Sequence, residues 1–474
     1  MSLGLFAVIA AILHILGILS AVRAIMESRT PQGATAWALG LITFPYIAVP
    51  AYWVFGRSKF NGFVKLLRED RAEVGQAVAQ YIEQLKMHEL ILSPDRQGAM
   101  PVEKLAGLPF TIGNEAELLI DGDATFESIF AGIERAQHYI LVQFYIVKAD
   151  GLGNKLKDRM IKKAKEGLQV YFLYDEVGSM GLPEQYVSEL QTAGVKAHKF
   201  NTTKGRTNRF QVNFRNHRKI VVVDGDEAWV GGHNVGDEYL GKGAIGPWRD
   251  THVRVAGPAA QSIQISFAED YHWAADELLH LNWVPKKSPT PYPVAALALP
   301  SGPADKFETC TLLFIKAIQS AKSRLWIASP YFVPDEQFIT ALHLAVLRGV
   351  DVRILIPRKT DNTLVNLTHW AYIEKLKRIG VDLFWYEKGF LHQKVLLIDD
   401  DVATIGTANF DNRSFRLNFE ITLLVVDKKF AESVARMLVD DFNGSPDIME
   451  DEYMSKGVGF RFLVRVAQLT APIQ

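Results

Sequence analysis

The sequence predicts two homologous α/β sandwich domains packed as a pseudo-dimer, preceded by a two-helix transmembrane hairpin. Three observations carry this prediction. Two long uncharged apolar runs occupy the N-terminus. The remainder is one unit written twice. Within each copy, helical stretches alternate with short β-branched and aromatic runs, the pattern of an α/β layer architecture.

The apolar runs come first in the chain. Leu3 to Val22 is 20 residues without Lys, Arg, Asp or Glu, and Ala34 to Phe55 is another 22. About 20 helical residues cross a hydrocarbon core of roughly 30 Å. Trp37, Tyr52 and Trp53 lie near the ends of the second run, where interfacial aromatics belong. No Lys or Arg precedes the first run, which argues against a signal peptide. The intervening loop carries Arg23 and Arg29, and Arg57, Lys59, Lys65, Arg68 and Arg71 follow the second run. That excess of basic residues predicts both termini and the large domain in the cytoplasm.

From Asn61 to Leu92 the pattern is that of one or two amphipathic helices, lying on the membrane or linking it to the body. The expected organisation is a hairpin over 1–58, linker helices over 59–105 and a first domain over 106–287. A proline-rich linker over 288–303, a second domain over 304–450 and a tail over 451–474 complete it. That tail pairs Arg461 and Arg465 with Phe460, Phe462, Leu463, Val464 and Val466, as a membrane-surface segment or a packed terminal helix does.

The repeat is legible in matched strings. Ile133-Glu-Arg-Ala136 and Tyr139-Ile-Leu-Val-Gln-Phe-Tyr-Ile-Val147 match Ile318-Gln-Ser-Ala321 and Leu325-Trp-Ile-Ala-Ser-Pro-Tyr-Phe-Val333. Glu166-Gly-Leu-Gln-Val170 matches Arg348-Gly-Val-Asp-Val352. Val170–Tyr174, Ile220–Val223, Val352–Ile356 and Val395–Ile398 read as buried strands. Phe144, Tyr145, Tyr331 and Phe332 fit either sheet core or an acyl-chain entrance.

Composition removes several function classes. The chain has 474 residues with 52 Lys+Arg against 53 Asp+Glu, a net charge of −1 that disfavours a general nucleic-acid binder. A single cysteine, Cys310, excludes an intramolecular disulfide framework and any multi-cysteine metal site. No cluster of metal ligands is visible, and neither metal nor cofactor is expected. The basic run Lys155 to Lys165 reads as a solvated helix face. Lys204-Gly-Arg206 with Arg209 is a polar loop able to attract an anionic lipid.

One pair of motifs carries chemistry. His217-Arg-Lys219, Asp224 and Gly231-Gly-His-Asn234 recur with the same spacing as His392-Gln-Lys394, Asp399 and Gly406-Thr-Ala-Asn409. A lone His-x-Lys is a surface dipeptide; two copies at matching places in a repeat are a site. Residues two apart on a strand share a face, so imidazole and ammonium project together. Two such faces would surround one phosphate with two imidazoles and two cations. The aspartates lie seven residues on, about 23 Å along a continuous strand, and are expected at its far end. Other carboxylates must then hold the imidazole tautomers, and Asp250 and Glu420 are the candidates.

This duplicated His-x-Lys-x4-Asp-x6-Gly-x-x-Asn pattern resembles the phospholipase D superfamily. Arg215-Asn-His-Arg-Lys-Ile220, Ser329-Pro-Tyr-Phe-Val-Pro-Asp335 and Asp411-Asn-Arg-Ser-Phe-Arg-Leu-Asn-Phe-Glu420 narrow the match. So do Arg29-Thr-Pro31 and Phe55-Gly-Arg57 in the apolar N-terminus. Together they resemble the membrane-anchored cardiolipin synthases of bacteria, over essentially the whole chain. Thr407 stands where serine is common in that family, and the hydroxyl is kept.

The resemblance implies a catalytic set of His217, Lys219, Asp224, His392, Lys394 and Asp399, with Asn234, Asn409, Asp250 and Glu420 binding phosphate or orienting the rings. It implies a phosphohistidine intermediate, with His217 as nucleophile and His392 as acid and base; the swapped assignment stays open. It also implies two molecules of phosphatidylglycerol as substrates and cardiolipin and glycerol as products, in the bacterial inner membrane, without nucleic acid. A phospholipase D-type hydrolase, a synthase with phosphatidylethanolamine as donor and a non-catalytic lipid-binding protein are the alternatives.

Overall fold

The computed structural model describes residues 3–56, 59–69, 71–93, 99–204 and 212–474. Among the described residues, fourteen strands lie side by side in one continuous sheet, and a two-residue fifteenth strand, Arg215–Asn216, joins it off that line. Half one contributes β1 (Thr111–Ile120), β2 (Tyr139–Phe144), β3 (Gln169–Asp175), β4 (Lys196–Phe200), β5 (Ile220–Val223), β6 (Glu227–Gly231) and β7 (Thr251–Ala256). Half two contributes β8 (Val294–Ser301), β9 (Arg324–Ala328), β10 (Asp351–Pro357), β11 (Asp382–Tyr386), β12 (Val395–Ile398), β13 (Val402–Gly406) and β14 (Asn418–Val426).

The order is β11-β10-β9-β12-β13-β14-β8-β1-β7-β6-β5-β2-β3-β4. Read outward from the central β1–β8 pair, each strand of half one meets its counterpart seven labels later, so the sheet has a pseudo-twofold axis. The four strands read from the sequence as buried are β3, β5, β10 and β12, with both faces covered. Alternation sorts their side chains. In β2, Ile140 and Val142 enter the core under the helices Asp121–Arg135 and Gly151–Lys165, while Tyr139 and Leu141 enter the opposite core.

That opposite core runs from one half into the other, gathering Ala260 and Ile263 of the helix Pro258–Ala275 with Val434 and Leu438 of the helix Lys428–Asn443. The two halves therefore share one hydrophobic interior. This bears on the linker expected over 288–303. Val294–Ser301 is β8, a central strand paired with both β1 and β14. Prolines at 289, 291, 293, 300 and 303 concealed it, although only Pro300 lies within the strand. The connection proper is the stretch 276–293.

Three further expectations are resolved by packing. The helices Asn61–Glu69 and Arg71–Met87 are tied to the body, with Phe60 and Phe63 in the shared core and the Tyr81 hydroxyl donating to Pro258 O at 2.9 Å. The C-terminal helix Val458–Gln468 buries Val464 and Ala467 and packs Phe460 edge-to-face on Trp370, while Val458, Phe462, Leu463, Val466 and Leu469 stay exposed. Lys155 to Lys165 is a helix face laced with ion pairs to Glu134 and Glu189.

The N-terminal hairpin departs from expectation. α1 (Leu3–Glu27) is one long helix, but the second apolar run divides into α2 (Pro31–Thr43) and α3 (Pro45–Phe55) at Phe44. The cause is Pro45, which has no N–H for the Leu41 carbonyl and cannot continue the helix. Gly17 of α1 packs against that carbonyl so closely that a Cβ there would lie 2.3 Å from the oxygen. Arg57, and the side chains of Arg68 and Arg71, lie outside the described residues.

Candidate active site

The His-x-Lys segments are bridges between the halves. The expectation that His217 and Lys219 sit on one strand is corrected, because β5 begins only at Ile220. Just before it, Arg215–Asn216 pairs in parallel with Asn418–Phe419 of half two, and the His217 N–H donates to Phe419 O at 2.9 Å. Its counterpart Phe390–Leu391 pairs with Trp248–Arg249 of half one, and the His392 N–H donates to Arg249 O at 2.7 Å. Each histidine is thus held by the other half before its own strand starts. Both histidines are nearly enclosed, at 8% and 6% exposure.

The carboxylates that orient the rings cross over as well. His217 Nδ1 lies 2.9 Å from Glu420 Oε2, and His392 Nδ1 lies 2.6 Å from Asp250 Oδ2. A carboxylate only accepts, so each Nδ1 carries the hydrogen and each Nε2 keeps a lone pair for chemistry. Asp250 and Glu420 are equivalent. Gly231 pairs with His252 and Gly406 with Thr422, and each carboxylate lies two residues before that partner.

The supports of these carboxylates differ. Glu420 also accepts from Thr407 Oγ1 at 2.5 Å, Ser414 Oγ at 2.8 Å and Asn418 Nδ2 at 3.1 Å. Asp250 accepts, besides His392, only the Thr251 N–H at 2.7 Å among the described contacts. The position equivalent to Thr407 is Gly232, where a Cβ would lie 2.1 Å from Asp250 Oδ1. Glycine lets the backbone close over Asp250, whereas threonine supplies a donor to Glu420.

The electrostatics follow. Burial raises both carboxyls, but His217, Lys219 and Thr407 outweigh it at Glu420, which stays below the usual carboxylate range. At Asp250 burial wins, and its carboxyl is raised. Burial pushes His217 down to about 4, and burial with the nearby lysines holds His392 well below its ordinary value. Both rings are neutral at pH 7 before an anion enters.

Lys219 and Lys394 each donate to the carbonyl of their own histidine at 2.6 Å and lie within electrostatic range of both Glu420 and Asp250. The two half-sites therefore form one charge cluster. Burial lowers Lys219 well below its usual value and Lys394 to about 8. An incoming phosphodiester anion would restore charge to both.

Asp224 and Asp399 lie elsewhere, at the far strand ends, so their inclusion in the catalytic set is corrected. Asp224 accepts from the N–H groups of Gln137, His138 and Tyr139, and Asp399 from those of Lys322, Ser323 and Arg324. Each closes its hairpin turn on the start of β2 or β9, from a left-handed φ of 55° or 49° that aspartate tolerates. Asn234 is first a brace. It accepts from the Ile146 N–H at 3.1 Å and donates to the Tyr239 hydroxyl at 2.6 Å. Asn409 is buried near Asp411, and its Oδ1 has no hydrogen-bond partner among the described residues.

Aromatic residues complete the walls. Tyr145 meets the His217 ring edge-on at 4.9 Å, and Trp248, Tyr239 and Phe390 surround His392 at 5.2, 5.6 and 5.7 Å. Phe144 and Phe332 are core residues, and the Tyr331 hydroxyl donates to Asp361 at the rim. Arg218, between His217 and Lys219, donates to Asp270 at 2.8 Å and so locks the bridge to the helix Pro258–Ala275. Gly205 to Gln211, which include Arg206 and Arg209, lie outside the described residues; Lys204 pairs with Asp276. Among the described residues no His, Cys, Asp or Glu cluster is arranged to hold a metal ion.

Comparison with known proteins decides the family. A family described as cardiolipin synthase, PLD-like domain, matches residues 129–244 and 314–441, and a phospholipase D-nuclease N-terminal family matches residues 7–57. Cardiolipin synthase A of Pseudomonas putida strain W619 is 48% identical over 477 residues, covering 99% of this chain and 98% of that protein. Cardiolipin synthase A of Pseudomonas fluorescens strain Pf-5 is 47% identical, with the same coverage.

The chain belongs to the cardiolipin synthase family.

As a member of the cardiolipin synthase family it is a phosphatidyltransferase of phospholipid synthesis, associated with a membrane through its apolar N-terminus. The fold is shared more widely. The phosphatidylserine synthase of Haemophilus influenzae Rd KW20 superposes with a TM-score of 0.58 at 15% identity, over 80% of this chain and 100% of that one.

Proposed function

We propose that the protein makes cardiolipin by moving a phosphatidyl group from one phosphatidylglycerol to another, with release of glycerol. The observation that carries this is the crossed pair of carboxylate–imidazole dyads, His217–Glu420 and His392–Asp250, set with two lysines in one buried cluster. The halves so joined are residues 106–275 and 294–450, with 276–293 as the connection.

The donor phosphate binds between Lys219 and Lys394, helped by the amides of Asn234 and Asn409. The Nε2 lone pair of His217 attacks phosphorus, and the bond to the glycerol headgroup breaks. His392, protonated at Nε2 once the anion is bound, gives that proton to the departing oxygen. The N–P bond leaves positive charge on the His217 ring, and the ionised Glu420 beside it stabilises that charge. Neutral His392 then takes the proton from the glycerol hydroxyl of a second phosphatidylglycerol, whose oxygen attacks phosphorus and releases His217. One phosphodiester replaces another, so the reaction is near balance and needs no nucleotide.

Both lipids stay in the bilayer, since exposing a chain costs about 0.8 kcal/mol per CH₂. The body faces the cytoplasmic side, where the basic residues flanking the apolar segments belong. Purified full-length protein in phosphatidylglycerol vesicles tests the function. Cardiolipin with stoichiometric glycerol is expected, and each of His217→Ala and His392→Ala should lower turnover at least about a thousandfold. Phosphatidic acid without cardiolipin would mean a hydrolase. Cardiolipin formed only when phosphatidylethanolamine is added would mean the other donor. Undiminished turnover in either variant would remove the two-histidine mechanism.

A further inference from the structure

The second apolar segment turns back on itself. α2 and α3 run side by side, with the Trp37 and Tyr52 rings 5.2 Å apart and the Ala48 methyl 3.7 Å from where a Gly40 Cβ would stand. The bend at Phe44 lies midway along α1. Tyr46 meets His14 at 5.6 Å, and Leu41 and Pro45 pack on Gly17. The open ends lie toward the C-terminal end of α1, where the Trp53 indole donates to Ser20 at 3.3 Å and α2 begins four residues after Glu27.

Both ends are also fastened to one stretch of the catalytic body. Before α2, Arg29 pairs with Glu308 at 2.6 Å. After α3, Lys59 donates to Asp305 O at 3.4 Å and the Phe60 N–H to Pro303 O at 3.2 Å. A segment whose two ends touch residues 303–308 cannot cross a core of roughly 30 Å. Its arms, 13 and 11 residues long, reach about 20 and 16 Å at 1.5 Å per residue, roughly half to two thirds of that depth.

We propose that α1 is the single transmembrane crossing, and that α2–α3 is a re-entrant wedge seated in the leaflet on the side of the catalytic body. The expected two-span hairpin is thereby replaced, and the two termini lie on opposite sides of the membrane. Large apolar side chains face outward along α1 from Leu5 to Met26, about 33 Å, enough to cross. On the wedge, Leu39, Ile42, Phe44, Tyr46 and Ile47 face outward around the bend, as a lipid-immersed tip requires.

Charge agrees. In a two-span hairpin Arg23 and Arg29 lie across the bilayer from Arg57, Lys59, Lys65, Arg68 and Arg71; here all seven share one side, and no Lys or Arg precedes α1. Irregular backbone at membrane depth is tolerated where protein covers it, and Gly17 lets α1 cover the Leu41 carbonyl that Pro45 leaves without a donor. A wedge confined to one leaflet also means that donor and acceptor lipids enter from that leaflet.

The sole cysteine, Cys310, is buried, so Cys310→Ala gives a clean background for labelling. Gly4→Cys, Gln32→Cys, Ile47→Cys and Met449→Cys in the full chain are treated with a membrane-impermeant maleimide in sealed inverted vesicles, with retained cardiolipin synthesis as the folding control. Gln32→Cys and Met449→Cys should label from the same side. Gly4→Cys should label only after the vesicles are opened, and Ile47→Cys only in detergent. Thr35→Cys reports the same turn if Gln32→Cys is inactive. Gly4→Cys labelled together with Met449→Cys, or Gln32→Cys on the opposite side from Met449→Cys, would overturn the wedge.

Discussion

The two half-sites share a backbone plan and differ in what stands behind it. Both histidines cross to the other half, both find a carboxylate at the equivalent position, and both lysines fold onto the preceding histidine carbonyl at 2.6 Å. Behind Glu420 stand a threonine, a serine and an asparagine, all donating. Behind Asp250 stands a glycine, with the backbone closed over it. On the proposed mechanism, that internal symmetry lets two imidazoles address one phosphorus. Glu420, beside His217, Lys219 and Thr407, is held below the usual carboxylate range while burial raises Asp250, and on the proposed mechanism this separates a ring that carries positive charge in an intermediate from one that gains and loses a proton.

The largest expected effect comes from the carboxylates. Glu420→Gln should lower kcat about a thousandfold, because the amide loses the charge and turns donors toward donors already in place. Asp250→Asn should also slow turnover, but less, since only one side-chain donor faces it. Single-turnover assays sharpen the contrast: transfer to the enzyme, which releases glycerol, should be nearly blocked in Glu420→Gln and only slowed in Asp250→Asn. Equal losses in the same step would remove the distinction between the halves.

Some of this was legible in advance. Repeated His-x-Lys spacing located the chemistry, and the failure of Asp224 to reach His217 along a strand directed attention to Asp250 and Glu420. Which carboxylate serves which ring was not legible. It depends on pairing between Arg215–Asn216 and Asn418–Phe419, contacts some 200 residues apart that leave no local pattern. Ser414 escaped notice because its role is to face Glu420 across a short helix, and β8 because prolines mask it. The wedge was hidden for a related reason: hydropathy counts apolar residues and is blind to a chain that doubles back at Phe44–Pro45.

A smaller effect is expected at Thr407. Thr407→Val removes one hydrogen bond to a buried carboxylate and should cost about tenfold in kcat, while Thr407→Ser restores it. A similar loss in Thr407→Ser would assign the residue to packing. The smallest effect is a pH limb. Burial lowers Lys394 to about 8, so its charge is full below that value and is lost as pH rises through it. kcat/KM for phosphatidylglycerol should therefore halve near pH 8, and Lys394→Arg should abolish that limb. A limb unchanged in Lys394→Arg would assign it to another group.

The central claim is that imidazoles from the two halves take turns at one phosphorus, with His217 bonding to it. Rapid quench of His392→Ala with phosphatidylglycerol labelled at phosphorus, followed by peptide mapping under conditions that preserve phosphohistidine, tests it most directly. Label on His217, formed slowly because His392 is also the acid of the first step and retained because it is the base of the second, is the predicted result. Label absent from His217, with label on His392 of the otherwise intact enzyme, would contradict it.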